Sequence, residues 1–366
     1  MSDAPSDSPR GDADPLHPAL HTRVCELLDV RYPIVQTGMG WVSGARLTAA
    51  TSAAGGFGIL AAVTMTMDQM RDAIRSVKEH TPNPFGVNFR PDQPDLDERL
   101  AFVTKEGVKL VSFAGAPTKD TIAKLHDAGI LAMPTVGARR HAEKMLGFGV
   151  DLVIAQGGEG GGHTGTVPTS LLLPQVVDAF PGPVVGAGGF HDGRGLVAAL
   201  AYGCAGIAMG TRFLLTQDSR VPDEIKAIYL KTPVTGTVVS THIDGHPQRV
   251  IRTEFVEHLE GTGRLMALPR AAKNALEFRK LTGTSMLALV QEGLAMRKQQ
   301  GLPWSQVALA ANAPMLTKAS MVDGHAEAGI LPTGQVVGLV EELPTVHDLI
   351  QRIMDEAEQT LKRLGA

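Results

Sequence analysis

The stretch Gln156-Gly-Gly-Glu159-Gly160-Gly161-Gly-His163-Thr-Gly165 gathers most of the groups able to do chemistry in this chain. It opens on the last residue of an apolar run, Leu152–Gln156. A neutral imidazole can take a proton near pH 7, because the ordinary histidine pKa lies close by. Glycines on either side let the backbone pass close to a flat ligand and turn its amides toward it. A sharp turn with a surface histidine would use the same residue types. A strand in front of His163, with Gln156 and Glu159 beside it, favours a catalytic base.

Two further glycine pairs follow apolar runs: Ala187-Gly188-Gly189-Phe190 and Met209-Gly210-Thr211-Arg212. Paired glycines expose N–H groups to anionic oxygens. Loops after the seventh and eighth strands of a barrel frequently form a phosphate site. The chain has neither a GxGxxG after its first strand nor a GxxxxGK[ST] loop, so a mononucleotide such as FMN suits it better than a dinucleotide or a nucleoside triphosphate. Gln36-Thr37-Gly38-Met39-Gly40-Trp41 ends another run, and Met39 and Trp41 there could cover a ring or simply pack. Asn88, closing Phe85–Asn88, offers both a donor and an acceptor, or forms a turn.

Apolar runs that could carry these loops recur along the first part of the chain. The candidate strands are Pro33–Thr37, Gly58–Ala61, Phe85–Asn88, Val108–Phe113, Ile130–Thr135, Leu152–Gln156, Val184–Ala187 and Gly206–Met209. Amphipathic segments such as Met67–Glu79, Lys119–Asp127 and Arg139–Phe148 separate them. Strands alternating with helices imply a parallel sheet, and nearly continuous apolar strands imply burial on both faces. Polar or glycine signals close almost every strand, which suits the single mouth of a (β/α)8 TIM barrel over one switch point of an open sheet. After Thr216 the alternation stops. Val238–Ile251, with Asp244-Gly245, reads as a hairpin; Pro269–Arg297, Trp304–Ala319 and Val346–Leu364 read as helices. The expected organisation is a tail over 1–20, the barrel over 21–216, a mainly helical insert over 217–330 and a segment returning to the barrel over 331–366.

Composition narrows the function classes. A formal net charge of −4 gives no global attraction to nucleic acid or to an anionic membrane. The only two cysteines, Cys25 and Cys204, make neither a disulfide framework nor a metal cluster. The Asp-, Ser- and Pro-rich start from Met1 to about Pro18 lacks the apolar core of a signal peptide. No run approaches the ~20 apolar residues of a membrane span, so a cytoplasmic location is expected. Arg264, Arg270, Lys273, Arg279, Lys280, Arg297 and Lys298 make the insert basic. That is either a solvated helix face or a seat for the phosphates of a coenzyme A ester. The oligomeric state, monomer or homodimer, stays open.

Together these residues resemble the nitronate monooxygenase (2-nitropropane dioxygenase) family of FMN barrels. The resemblance runs through Pro33–Gly40, Ala53–Gly58, Phe85–Asn88, Gln156–Gly165, Gly186–Phe190, Met209–Phe213 and Gly334-Gln335. It implies FMN held by Thr37, Gly38, Met39, Asn88, Gln156, Gly161, Gly188, Gly189, Ala208, Met209, Gly210 and Thr211, and His163 as the catalytic base. Gly160 stands where the family often has Ala, and Thr37-Gly38 where Ala-Pro is common. Gln36–Val42 and Trp304–Gly324 resemble a narrower branch acting on a bicyclic CoA thioester from steroid rings.

Two substrates fit one elementary event. A carbon beside a nitro group or a thioester carbonyl loses a proton, and electrons pass to a flavin. The expected activity is α,β-dehydrogenation of a CoA thioester, with alkyl nitronate oxidation as the alternative. A flavin enoyl-thioester reductase and a non-catalytic flavin binder are further readings. Chemistry of the inosine-monophosphate dehydrogenase kind needs a loop cysteine, and Cys204 lies in an apolar stretch instead.

Overall fold

The computed structural model describes residues 16–261 and 314–365. Eight parallel strands close into a barrel: β1 (Ile34–Gln36), β2 (Phe57–Ala61), β3 (Gly86–Phe89), β4 (Leu110–Phe113), β5 (Leu131–Val136), β6 (Val153–Gln156), β8 (Val184–Ala187) and β9 (Gly206–Met209). Pairing of β1 with β9 makes the closure, with Val35 opposite Ala208 and Gln36 opposite Met209. The expected strands are all present, with ends moved by at most two residues. Helices Met67–His80, Lys119–Asp127 and Arg139–Phe148 lie where their spacing puts them. The first carries a capping box between Thr66 and Gln69, which satisfies two end amides reciprocally.

Side chains alternate across each strand, so every second residue points into the barrel. Val35, Phe57, Ile59, Leu110, Met133, Leu152, Ile154, Val185, Ala187 and Ala208 form the inner core. Val24 and Leu28, from the helix Arg23–Leu28, pack into the same core. Continuing the alternation to the strand ends places Asn88, Ser112 and Gln156 on that inner face, at the mouth where active sites of this fold lie. The intervening residues, such as Leu60, Val111, Val153 and Val184, meet the surrounding helices.

Three features stand outside the barrel. A three-stranded antiparallel sheet has the order β10 (Thr237–Ser240), β11 (Gln248–Ile251), β7 (Gly162–His163). It contains the hairpin read from the sequence and annexes the end of the glycine loop. The C-terminal helix Val346–Leu364 packs against the helices Gly193–Ala201 and Ala45–Ala53 through an apolar face that includes Leu349, Ile350, Ile353 and Ala357. Structure also begins earlier than the expected tail boundary. Pro18–Leu20 is a 3-10 turn with Leu20 buried, and the His17 amide donates to Glu358 Oε1 at 2.6 Å.

Of the expected insert, helices occupy Asp223–Leu230, Glu254–Gly261 and residues 314–321. Pro269–Arg297, the basic residues named above and most of Trp304–Ala319 lie outside the described residues. No helix among the described residues is long and apolar enough to cross a membrane.

Candidate active site

The first loop is built on a buried amide. Gln36 is fully buried, and its Nε2 donates toward Ser43 Oγ at 2.8 Å, the Ile59 carbonyl at 3.2 Å and the Thr37 carbonyl. Ser43 Oγ donates to the Thr37 carbonyl at 2.8 Å and accepts the Met39 amide at 2.9 Å. This network fixes Thr37–Met39 across the mouth. A Cβ on Gly38 would stand 2.4 Å from Asn88 Cβ, so the loop rests directly on the Asn88 side chain. Asn88 Nδ2 in turn donates to Ser112 Oγ at 2.8 Å, which leaves its carbonyl oxygen as the free end.

Trp41 takes a left-handed backbone, φ 66°, rare for a bulky residue. Its indole N–H donates to the Pro314 carbonyl at 3.0 Å. The ring thus stands where the first loop meets the chain's return at residue 314.

The loop after β6 folds over its own glutamine. Gln156 Nε2 donates to the His163 carbonyl at 2.8 Å. A Cβ on Gly160 would lie 2.6 Å from that same nitrogen, so a side chain there would require the Gln156 amide to shift. A Cβ on Gly161 would lie 2.4 Å from Thr333 C and 2.5 Å from Gly334 N. Gly161 therefore serves a backbone-to-backbone approach by the returning segment.

Glu159 accepts the Thr169 amide at 2.8 Å and so caps the helix Thr169–Ala179. Arg249 binds the Gly158 carbonyl at 2.9 Å from the neighbouring strand. Both residues brace the loop from behind.

Gly188 and Gly189 adopt φ 96° and 85°, open to glycine and strained for other residues. Their amides have no hydrogen-bond partner among the described residues. A Cβ on Gly189 would meet nothing nearer than Glu159 Cβ, at 3.7 Å. Two successive unpaired N–H groups, with open space at Gly189, suit an anionic oxygen such as that of a phosphate. Gly210 lies beside them at the end of β9, and a Cβ there would be 3.2 Å from both Met39 Sδ and Thr37 Oγ1. The Thr211 hydroxyl is occupied, accepting the Gly334 amide at 2.9 Å. Its backbone amide and its hydroxyl hydrogen are what Thr211 can still offer a ligand. Thr37, Gly38, Met39, Asn88, Gln156, Gly161, Gly188, Gly189, Ala208, Met209, Gly210 and Thr211 thus ring one end of one barrel.

His163 leaves the barrel on β7, paired opposite Gln248, with its side chain 65% exposed. Its Nε2 lies 2.6 Å from Oδ2 of the buried Asp244. Asp244 also accepts the Gln248 side-chain amide on Oδ2 and the His246 backbone amide on Oδ1, at 3.0 Å. Burial raises the Asp244 carboxyl. The hydrogen bond and charge of His163, with the His246 and Gln248 donors, outweigh it and hold the group below the usual carboxylate range. Asp244 is therefore ionised and only accepts. The sequence showed it as a turn residue, and nothing local linked it to a histidine 81 positions away. Cys204 is buried, with its thiol pushed up to about 12, which removes it as a nucleophile.

A sequence profile of the nitronate monooxygenase family matches residues 21–99 and 95–356. The chain belongs to the nitronate monooxygenase family. That family is flavin-dependent, and its members named dehydrogenase or monooxygenase are oxidoreductases, as this chain is. Within it, the chain is similar to the (3aS,4S,5R,7aS)-5-hydroxy-7a-methyl-1-oxo-octahydro-1H-indene-4-carboxyl-CoA dehydrogenase of Rhodococcus jostii, 52% identical over 347 residues that cover 95% of this chain and 98% of the relative. Among solved structures, FabK from Thermotoga maritima superposes with a TM-score of 0.76 at 31% identity, covering 94% of this chain and 98% of that one. The nitroalkane oxidase from Streptomyces ansochromogenes superposes at 0.75 with 28% identity, covering 93% and 99%. In this chain the polar groups of the mouth come from strand ends, and the histidine beside it comes from outside the barrel.

Proposed function

We propose that this protein is an FMN-dependent dehydrogenase of a bicyclic, steroid-derived CoA thioester, forming a double bond between the carbons α and β to the thioester. The observation that carries this reading is the near end-to-end similarity to the Rhodococcus dehydrogenase, which extends well beyond the glycine loops into the hairpin and the returning segment. The mouth is compatible with FMN. Gly188, Gly189, Gly210 and Thr211 would meet the phosphate through their amides. The Thr37–Met39 loop, Asn88 and Gln156 would hold the ring system. When bound, the flavin supplies the two-electron acceptor for the hydride leaving the β-carbon.

The rest of the reaction falls to the chain. His163 removes the α-proton: a C–H bond breaks, an N–H bond forms on the imidazole, and the electron pair passes into the thioester carbonyl as an enolate develops. Loss of the β-hydride then leaves a conjugated double bond, so one proton and one hydride leave the substrate in all. Amides in the loop Gly157–Gly162 that are not used in turns are the available donors for the developing oxyanion.

Two outcomes are expected. The purified protein is yellow, and the cofactor released on denaturation has the mass of FMN. Colourless protein that takes up no added FMN would remove the cofactor assignment. Anaerobic mixing with a hydroxyindane-carboxyl-CoA bleaches the flavin, while propionate 3-nitronate does so poorly. The opposite ranking restores nitronate oxidation as the activity. Bleaching by NADPH, with reoxidation by an enoyl thioester, would instead make the protein a reductase.

A further inference from the structure

We infer that Asp244 is the positioning residue of the reaction: it holds the proton of His163 on Nε2, so that Nδ1 is the atom that takes the substrate proton. The inference rests on the reading of His163 as the base, and it concerns which of the two ring nitrogens acts. An ionised carboxylate has no proton to give, so the 2.6 Å contact requires a donor on His163 Nε2. Gln248 Nε2 is only 3.3 Å from His163 Nε2, too close for indifference. The Gln248 nitrogen also reaches the Asp244 oxygen that faces His163, so His163 Nε2 has a neutral amide and an ionised carboxylate as neighbours. The charged acceptor is the stronger partner and favours a proton on Nε2 over a lone pair turned to Gln248.

Asp244 itself cannot swing away, because the His246 backbone amide holds its other oxygen at 3.0 Å. Among the described residues His163 Nδ1 has no partner, and the ring is mostly exposed. Protonation there gives an imidazolium whose Nε2–H still faces a carboxylate, which stabilises the charge without taking the proton. The His246 ring, 6.1 Å from that of His163 and edge-on, is the other titratable group at this corner.

The substitution Asp244→Asn makes a sharp test. The His246 backbone amide cannot reverse its polarity, so the orientation of the new carboxamide is set. Its oxygen stays on that amide and its NH2 faces His163. A donor facing Nε2 draws the lone pair there and moves the proton to Nδ1, which disarms the base. Asp244→Ala removes the constraint and lets both tautomers form.

The expected order of substrate-driven flavin reduction is therefore wild type, then D244A about 10–100-fold slower, then D244N slower still, on the order of 100–1000-fold. FMN content should be equal in all three. A merely structural carboxylate gives the reverse order, because alanine leaves the larger hole.

An arm that needs no variant of Asp244 is nitrogen NMR of the histidine-labelled, flavin-loaded wild type, with His163 assigned by its loss in H163A. A neutral ring protonated on Nε2 supports the inference, and one protonated on Nδ1 overturns it. Equal reduction rates for D244N and wild type also overturn it, provided that H163A is impaired. An unimpaired H163A would instead remove His163 as the base, and so the proposed mechanism itself.

Discussion

His163→Ala should keep its flavin and lose substrate-driven flavin reduction by about 10²–10⁴-fold, the usual cost of removing a general base. Retention follows from position. The ring is 65% exposed and is carried by a backbone pairing, Gln248 to His163, that alanine preserves. Gly188, Gly189 and Gly210 sit on other loops. The variant does leave buried Asp244 one donor short, with the His246 and Gln248 amides still in place. A stability loss of about 1–3 kcal/mol is the expected scale for one hydrogen bond to a charged group. Stopped-flow measurement of flavin absorbance under anaerobic conditions isolates the step. A reduction rate equal to wild type would mean that another group takes the proton.

The second large effect is on cofactor retention. Gly189 is a poor place to test the phosphate loops, because φ 85° strains any side chain whether or not a ligand is present. Gly210 avoids this, with φ −104°, which ordinary residues adopt. Gly210→Val would push methyl groups into the narrow space between Met39 Sδ and Thr37 Oγ1, each 3.2 Å from the first added carbon. Overpacking of about 1–3 kcal/mol would displace the Thr37–Met39 loop, and if binding has to bring that loop back, the cost corresponds to roughly 10–100-fold weaker FMN binding. Fluorescence titration of flavin-free protein with FMN measures it. Undiminished affinity would place the phosphate elsewhere, and unfolding of the flavin-free variant at the wild-type temperature shows that the barrel itself is intact.

The barrel was legible because its physics is local. Buried parallel strands write themselves as short apolar runs, and the residue that ends each one reaches the mouth by simple alternation. Asn88, Gln156 and the two glycine pairs could be found that way. What escaped was decided by contacts across the chain. Asp244 looked like half of an Asp-Gly turn, since pairing of β11 with β7 is what carries it to His163. Ser112 gave no sign that it would tether Asn88. Gly161 resembled a cofactor glycine, and nothing near it announced that Thr333-Gly334 also packs against it. Nothing announced either that the Thr211 hydroxyl accepts the Gly334 amide. Each of these depends on residues far apart in sequence, where spacing carries no information.

That late-arriving contact has a bearing on how the protein is made. All eight barrel strands have been synthesised by Met209, yet the loop after β6 and the end of β9 are each closed by residues 333 and 334. The helix that covers Gly193–Ala201 and Ala45–Ala53 comes later still, from Val346 to Leu364. A nascent chain on the ribosome therefore holds every strand long before it holds a finished mouth. Closing it brings together parts more than a hundred residues apart, a topology that slows folding. Flavin capture should then wait for Thr333-Gly334 to be made, and chains truncated before Thr333 should emerge without the pigment.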